Sequence, residues 1–357
     1  MVVAAAQTRF KRNIATMSNI TLKELAKKLG ISISTVSKAL NDSFEISDET
    51  KQRVRDMADE YDYRPNILAK SLKTGRSNTI AVIIPYLANP FQSQILEGAQ
   101  QAAYERNYKL VFMQSRENAD LERDSLRTLH QQNIDGVIIT PSANSDLKYL
   151  KQFHQNCPLV LVDRIDFELD TFKIGVNNEK GAFDATQHLI DMGRKDIVVL
   201  CGMNIGVSQK RIAGYKKALL ANYIPEKVEN IIQVDYGQSR EDLIKNLTNI
   251  LATKLKEHKG PIGLLGTTDT LTVSALGILS KLGVSVPEQV AVIGFANTEV
   301  AESLNPSLST IIQPAFDIGY KGVEKLIELV ESKNRSQVDF DTTILDTTII
   351  SRRSSTA

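Results

Sequence analysis

ITLKELAKKLGISISTVSKALN, residues Ile20 to Asn41, reads as two short amphipathic helices joined by a tight turn. Thr21 is suited to cap the first helix and Glu24 to complete a capping box, while Leu22, Leu25, Ala26 and Leu29 share one apolar face. Gly30 ends that helix. Ser32 can cap the second, which turns Val36, Ala39 and Leu40 inward and leaves Ile33, Ser34, Ser37, Lys38 and Asn41 outside. Two such helices with a glycine in the turn form a helix-turn-helix pattern. Working outward, Ser47 opens a third helix whose expected buried stripe is Val54, Met57, Ala58 and Tyr61, so residues 20–63 predict a three-helix DNA-binding domain.

The outward stripe of the second helix has the chemistry of a major-groove reader. Lys38 can donate to guanine N7 and O6, Ile33 can touch a thymine methyl, and Ser34 and Ser37 can reach bases or phosphates. Thr35 and Asn41 suit phosphate contact or capping, and the two caps Thr21 and Ser32 complete the candidate DNA-contacting set.

The next stretch, YRPNILAKSLKTGRSN from Tyr63 to Asn78, carries Arg64, Lys70, Lys73 and Arg76 with no acid between Asp62 and Glu97. Pro65 fits a first helical turn and Gly75 a helix end, which predicts a hinge helix and linker over 64–78. A helix of about two and a half turns is too short to be stable alone in water. It is either a basic linker or a switch ordered by whatever holds it.

These residues carry a resemblance. Ile20–Asn41 is similar to the signature of the lactose-repressor family of bacterial transcription regulators, and YRPNILAKSL resembles that family's hinge helix. A weaker similarity continues to about Ser351. The resemblance implies that Leu72 wedges into the minor groove at the operator centre, with Asn66 and Ala69 beside it, while Lys73 is a candidate DNA contact as one of the stretch's cations suited to the phosphate backbone. An inserted apolar wedge unstacks a base step and bends the duplex. Two wedges from a homodimer imply pseudo-palindromic operator DNA.

Beyond Asn78, apolar strands alternate with amphipathic helices: TIAVIIP, KLVFMQ, GVIIT and LVLVD, then KIGV, DIVVLCG, IIQV, PIGLLG and VAVIGF, with LSTIIQ and a helix from about Phe316 to Glu331 at the end. Buried strands separated by crossover helices predict an α/β fold with doubly wound parallel sheets, and two runs predict two lobes. The resemblance implies a periplasmic-binding-protein-like domain over 79–351. Lobe 1 is expected at about 79–175 and 314–341, lobe 2 at about 176–313 and 342–351, and the chain is expected to cross near Val176, Gln313 and Thr342.

Ligands of open parallel sheets bind outside the carboxyl ends of the strands. The candidate effector residues there are Asn89, Phe91, Gln92, Asp163, Arg164, Arg211, Thr268, Asp269, Asn297 and Gln313. Carboxylates, amides and a guanidinium suit hydroxyl groups, and Phe91 can cover an apolar ring face. The resemblance maps effector contacts onto Phe91, the position after GF, and Arg211, which opens RIAGY in an R-x-x-G-Y pattern. Other roles fit some of these residues equally: Asp163 and Asp269 can cap helices or pair across the hinge, Arg164 can form a surface ion pair, and Phe91 can be lobe core. The chain departs from sugar-responsive relatives at Ala296, where a carboxylate commonly follows GF, and at Thr268, where asparagine is frequent.

Composition closes off other classes. The 357 residues contain no tryptophan, no long apolar run and a formal net charge of +1, so nothing is expected to span a membrane. Cys157 and Cys201 lack metal spacing and read as buried thiols, and four scattered histidines form no metal motif. No cofactor, no catalytic residue and no enzyme are expected, because nucleophile-elbow, phosphate-loop and dinucleotide motifs are missing. Residues 1–19 read as a disordered leader whose charge order is wrong for export, and 352–357 as a tail without heptads. The expectation is a cytoplasmic, homodimeric repressor of carbohydrate-use genes, switched by a sugar or sugar derivative bound between the lobes. The alternative is a solute-binding protein that does not bind DNA.

Overall fold

A computed structural model describes residues 20–64, 75–203, 206–235, 239–258 and 260–356. The chain divides into two units, one up to Ser77 and one from Asn78 onward. The expected leader over 1–19, and Asn66, Ala69, Leu72 and Lys73 of the hinge, lie outside the described residues.

The first unit holds α1 (Leu22–Leu29), α2 (Ile33–Leu40) and α3 (Asp48–Glu60). Both members of the capping box are made on α1: Thr21 accepts from the Glu24 amide at 3.2 Å, and Glu24 accepts from the Thr21 amide at 2.8 Å. Gly30 closes α1 at φ +68°, a left-handed conformation that side chains with a Cβ resist. Leu25, Ala26, Val36, Ala39, Val54 and Ala58 form the buried core. Tyr61 departs from the expected stripe. It caps the carboxyl end of α3, remains 39% exposed and carries the Lys28 ammonium 4.4 Å above its ring. Tyr63 packs against the core instead.

The second unit contains two six-stranded sheets. The first has the order β11-β5-β4-β3-β1-β2, built from β1 (Thr79–Ile84), β2 (Lys109–Gln114), β3 (Gly136–Ile139), β4 (Leu159–Asp163), β5 (Lys173–Val176) and β11 (Thr342–Leu345), all paired in parallel. The second has the order β12-β10-β9-β8-β6-β7, from β6 (Asp196–Gly202), β7 (Ile231–Val234), β8 (Ile262–Gly266), β9 (Val290–Phe295), β10 (Ser309–Ile312) and β12 (Thr348–Ile350). Its strands are parallel except β12, which runs antiparallel to β10. Central strands such as β1 and β9 are buried along nearly their whole length, which is why they read as unbroken apolar runs.

Helices cover the sheets: α4 (Pro90–Glu105), α5 (Ala119–Gln131) and α6 (Leu147–Asn156) in lobe 1, and α7 (Asn178–Asp191), α8 (Gly206–Ala221), α9 (Arg240–Glu257) and α10 (Asp269–Lys281) in lobe 2. The late helix α11 (Ala315–Glu331) returns to lobe 1, where its buried face joins Ile95, Ala99 and Val162 in one core. Gly214 of α8 lies so close to α7 that a Cβ there would sit 2.0 Å from the Glu179 carbonyl oxygen, which gives the glycine of R-x-x-G-Y a packing role.

Two boundaries differ from expectation. The third crossing falls at Asp346 and Thr347, not at Thr342, because Thr342–Leu345 pairs with Lys173–Val176 in the lobe 1 sheet. Residues 352–356, within the expected tail, are also bound to lobe 2. The Val292 amide donates to the Ser354 carbonyl at 2.7 Å, the Ser354 amide to the Ser307 carbonyl at 2.8 Å, and Ser355 Oγ meets Ser309 Oγ and His188 Nε2 at 2.7 Å each. They pack beside the starts of β9 and β10. No helix among the described residues is long and apolar enough to cross a membrane.

Candidate functional site

On α2 the candidate residues divide by what holds them. Ser32 Oγ accepts from the Thr35 amide at 3.0 Å and lies 2.8 Å from Thr35 Oγ1, so both belong to the helix cap. Asn41 Nδ2 donates to the Ser37 carbonyl at 2.7 Å and closes the other end. Thr21 is spent on the capping box of α1. Ile33, 46% exposed, and Ser34 and Lys38 project from the open face, and Ser37 is half-buried. The Lys38 ammonium is paired with the Glu45 carboxylate, from the loop before α3.

The second candidate site lies where strand carboxyl ends of both lobes converge. From lobe 2, Arg211 is buried at 4% exposure and each of its three nitrogens donates a hydrogen bond. Its Nε donates to Asn178 Oδ1 at 2.7 Å, one terminal nitrogen to Gln313 Oε1 at 2.5 Å and the other to the Thr267 carbonyl, while the guanidinium lies 3.6 Å from the Phe295 ring centroid. Asn297 bridges neighbouring strands: its Nδ2 donates to the Gln313 carbonyl at 2.7 Å and its Oδ1 accepts from the Gln313 amide at 3.0 Å. Asp269 accepts from the Asn297 amide at 2.7 Å. Burial raises the Asp269 pKa to about 6, against the Asn297 amide and the Arg211 charge, which lower it. Thr268 caps α10 through the Leu271 amide at 3.3 Å.

From lobe 1, Asp163 ends β4 at φ +62° and accepts from Gln92 Nε2 at 3.1 Å; Thr140 donates to Gln92 Oε1 at 3.3 Å. Burial pushes the Asp163 carboxyl up, opposed chiefly by Arg164 and Arg211. Asn89 caps α4 by accepting from the Phe91 amide at 3.0 Å. Phe91 itself is 4% exposed and packs in the apolar core of lobe 1, one of the two roles expected for it. Arg164 also departs from expectation. It forms a double hydrogen-bonded pair with Glu117 and donates to the Pro141 carbonyl at 3.1 Å, so its charge is neutralised within lobe 1.

Side-chain contacts also reach from one lobe to the other. Asn297 Nδ2 donates to Gln94 Oε1 at 2.8 Å and Gln94 Nε2 to the Asn297 carbonyl at 3.1 Å, and at the rim Lys210 meets Asp166 at 2.6 Å. Gln94, Asn178, Glu117 and Lys210 were not candidates from sequence. Gln94 and Lys210 lie one helical turn or less from the candidates Phe91 and Arg211, which was the available signal. Among the described residues, Ser115 and Thr267, each directly after a strand, and Ser208 in the first turn of α8 have buried hydroxyls with no hydrogen-bond partner. Two hollows of about 450 and 470 Å³ lie elsewhere, around Arg106 and Glu324 and around Lys195 and Tyr223.

Among the described residues no group of three or more His, Cys, Asp or Glu is placed to hold a metal. Both cysteines are free and buried, and burial raises their thiol pKa to about 12 at Cys157 and about 11 at Cys201.

Comparison with known proteins adds relatives to this geometry. Residues 21–66 match bacterial regulatory proteins of the lacI family, and residues 186–355 match a periplasmic binding protein-like domain. The chain is 30% identical to the HTH-type transcriptional regulator RegA of Clostridium saccharobutylicum, over 94% of this chain and 98% of that protein. It is 29% identical to the HTH-type transcriptional repressor PurR of Vibrio parahaemolyticus serotype O3:K6, over 90% of this chain and 95% of that protein. Its fold is similar to the lac repressor dimer bound to operator and the anti-inducer ONPF, with a TM-score of 0.80 at 24% identity over 95% of this chain and all of that one.

Proposed function

The chain belongs to the lacI family of bacterial regulatory proteins, whose members are DNA-binding transcription regulators, and from this premise we propose a homodimeric repressor controlled by a hydroxyl-rich small molecule. The observation that carries the proposal is the joining of α2, with Ile33, Ser34 and Lys38 outward, to a domain whose two lobes meet through Gln94 and Asn297 beside Arg211. The family match over 21–66 displaces the reading as a solute-binding protein without DNA.

The amides and carboxylates of the cleft, with the unpartnered hydroxyls of Thr267 and Ser208 beside Arg211, favour a sugar or sugar derivative over an apolar ligand. Ligand alters the angle between the lobes and, through the dimer, the operator affinity; a coupling of about 1 to 3 kcal/mol gives a 5- to 150-fold change. The outer strand β2 supports a dimer, because it leaves Val111 36% and Phe112 45% exposed at a sheet edge that a second copy can cover. Operator binding by Asn66, Ala69, Leu72 and Lys73, a carbohydrate-use regulon and a cytoplasmic location rest on the sequence reading.

The test is a fluorescence-anisotropy titration of a duplex selected by the full chain from random DNA, with and without each member of a panel of sugars and sugar phosphates. A preference over scrambled duplex that one of these compounds changes at least fivefold is expected. No preference for the selected duplex, or no response to any sugar alongside a response to another ligand class, overturns the corresponding half of the proposal.

A further inference from the structure

Lys38 is the single charged side chain of α2, and the structure gives it a partner outside the helix. Its ammonium pairs with the Glu45 carboxylate, seven residues on, with the two side chains 45% and 49% exposed. The other acid of that loop, Asp42, is held separately by Lys51 at 3.1 Å and Arg55 at 2.9 Å. Over residues 20–64, acidic side chains outnumber Lys and Arg by nine to eight. The three-helix segment itself therefore has no surplus positive charge, the basic surplus of the unit lying in the stretches on either side of it, and the cation on the reading helix already has an acidic partner.

From this arrangement, and resting on the reading of α2 as a DNA-reading helix, we propose that Glu45 determines DNA specificity by withholding Lys38 from phosphates while leaving it free to read guanine. An ammonium has three donors and can keep Glu45 on one while giving two to guanine N7 and O6. The guanine edge is uncharged, so it does not repel the carboxylate that comes with the lysine. The free Glu45 oxygen can accept from a cytosine N4 amine in the same groove. A phosphate is different: drawing Lys38 to the backbone brings the Glu45 carboxylate into a field of like charge, within a Debye length of several phosphates. Affinity for arbitrary sequence is dominated by phosphate neutralisation, so Glu45 weakens non-specific binding more than specific binding. Raising the cost of wrong partners in this way is a route to selectivity without added contacts to the right one. The pair is exposed and hence weak, which lets Lys38 reorient at an operator without a large barrier.

Glu45 is thus a positioning residue that acts through Lys38, and its test must separate that role from a general change of charge. The full-length chain and its Glu45→Gln, Glu45→Asp, Lys38→Met and Lys38→Met/Glu45→Gln variants are titrated with the duplex selected by wild type and with its scrambled counterpart, at several salt concentrations. Glu45→Gln is expected to bind scrambled duplex about three- to tenfold more tightly near 0.1 M salt, with the log–log salt slope steeper by about one. Its affinity for the selected duplex changes less, so the specificity ratio falls, whereas Glu45→Asp keeps the charge and the wild-type slope. In the Lys38→Met background the Gln substitution gives no such gain. Unchanged scrambled-duplex affinity in Glu45→Gln, or the same gain without Lys38, overturns the inference while leaving the DNA-binding reading intact. Wild type with no preference between the two duplexes overturns both.

Discussion

Gln94 of α4 and Asn297 after β9 exchange two hydrogen bonds across the lobes, one at 2.8 Å between side chains and one at 3.1 Å to the Asn297 carbonyl. Asn297 is also bound to Gln313 and Asp269, so this lobe contact is continuous with the packing around Arg211. Gln94→Ala removes both cross-lobe bonds and should cost the closed arrangement roughly 1 to 2 kcal/mol. Small-angle scattering of the effector-free protein is expected to show a larger radius of gyration for the variant. An unchanged scattering profile at equal concentration would show that this contact does not restrain the lobes.

Arg211 is anchored by Asn178, Thr267 and Gln313 and lies over Phe295, so its loss has two consequences. Arg211→Ala leaves buried acceptors unpaired and is expected to lower lobe 2 stability by about 2 to 4 kcal/mol. A missing ligand response in that variant would then be ambiguous. Arg211→Lys keeps the charge but replaces a planar fork with a point donor. It should retain most of the thermal stability and lose the effector-induced shift of melting temperature. A wild-type shift in Arg211→Lys counts against a direct role in effector binding.

The parts of this molecule legible in its sequence are those where local chemistry and burial agree. Thr21, Glu24 and Gly30 mark the ends of α1 whatever surrounds them, and the TIAVII and VAVIGF runs announce strands buried on both faces. Strands β11 and β12 were not legible because they lie at sheet edges, are threonine-rich and alternate between exposed and half-buried positions. At the cleft, residue type and strand-end position found Arg211, Asp269, Asn297 and Gln313, which the fold brings together. They did not fix side-chain direction. Arg164 turns to Glu117, and Phe91, the second residue of α4, turns into the core.

The Arg164–Glu117 pair makes its own prediction. Arg164 is nine-tenths buried and Glu117 neutralises it through two contacts. Glu117→Ala leaves a buried guanidinium with little more than the Pro141 carbonyl and should destabilise the protein by about 3 kcal/mol in urea denaturation. Replacing the pair together, as Glu117→Leu with Arg164→Met, should recover most of that loss. A cost below about 1 kcal/mol for Glu117→Ala would place the pair with ordinary surface ion pairs.

Asp269 links the cleft to pH. Its folded pKa is raised from 3.8 to about 6 because burial penalises the carboxylate more than the Asn297 amide and Arg211 stabilise it. Between those values the folded chain binds more protons at this site than the unfolded chain, so stability falls as pH rises. The contribution is fully present below pH 3.8 and lost once pH passes about 6. A shift of that size amounts to roughly 2 to 3 kcal/mol. Asp269→Asn keeps an oxygen to accept from the Asn297 amide and removes the titration. The stability of Asp269→Asn relative to wild type, from denaturant unfolding, should therefore increase between pH 4.5 and 7.5 and level off above it. Other carboxylates, including Asp163, titrate in both proteins and cancel in the difference. A difference that is flat across this range would mean that Asp269 ionises in the folded chain as easily as in water, and that water reaches the floor of the cleft beside Arg211.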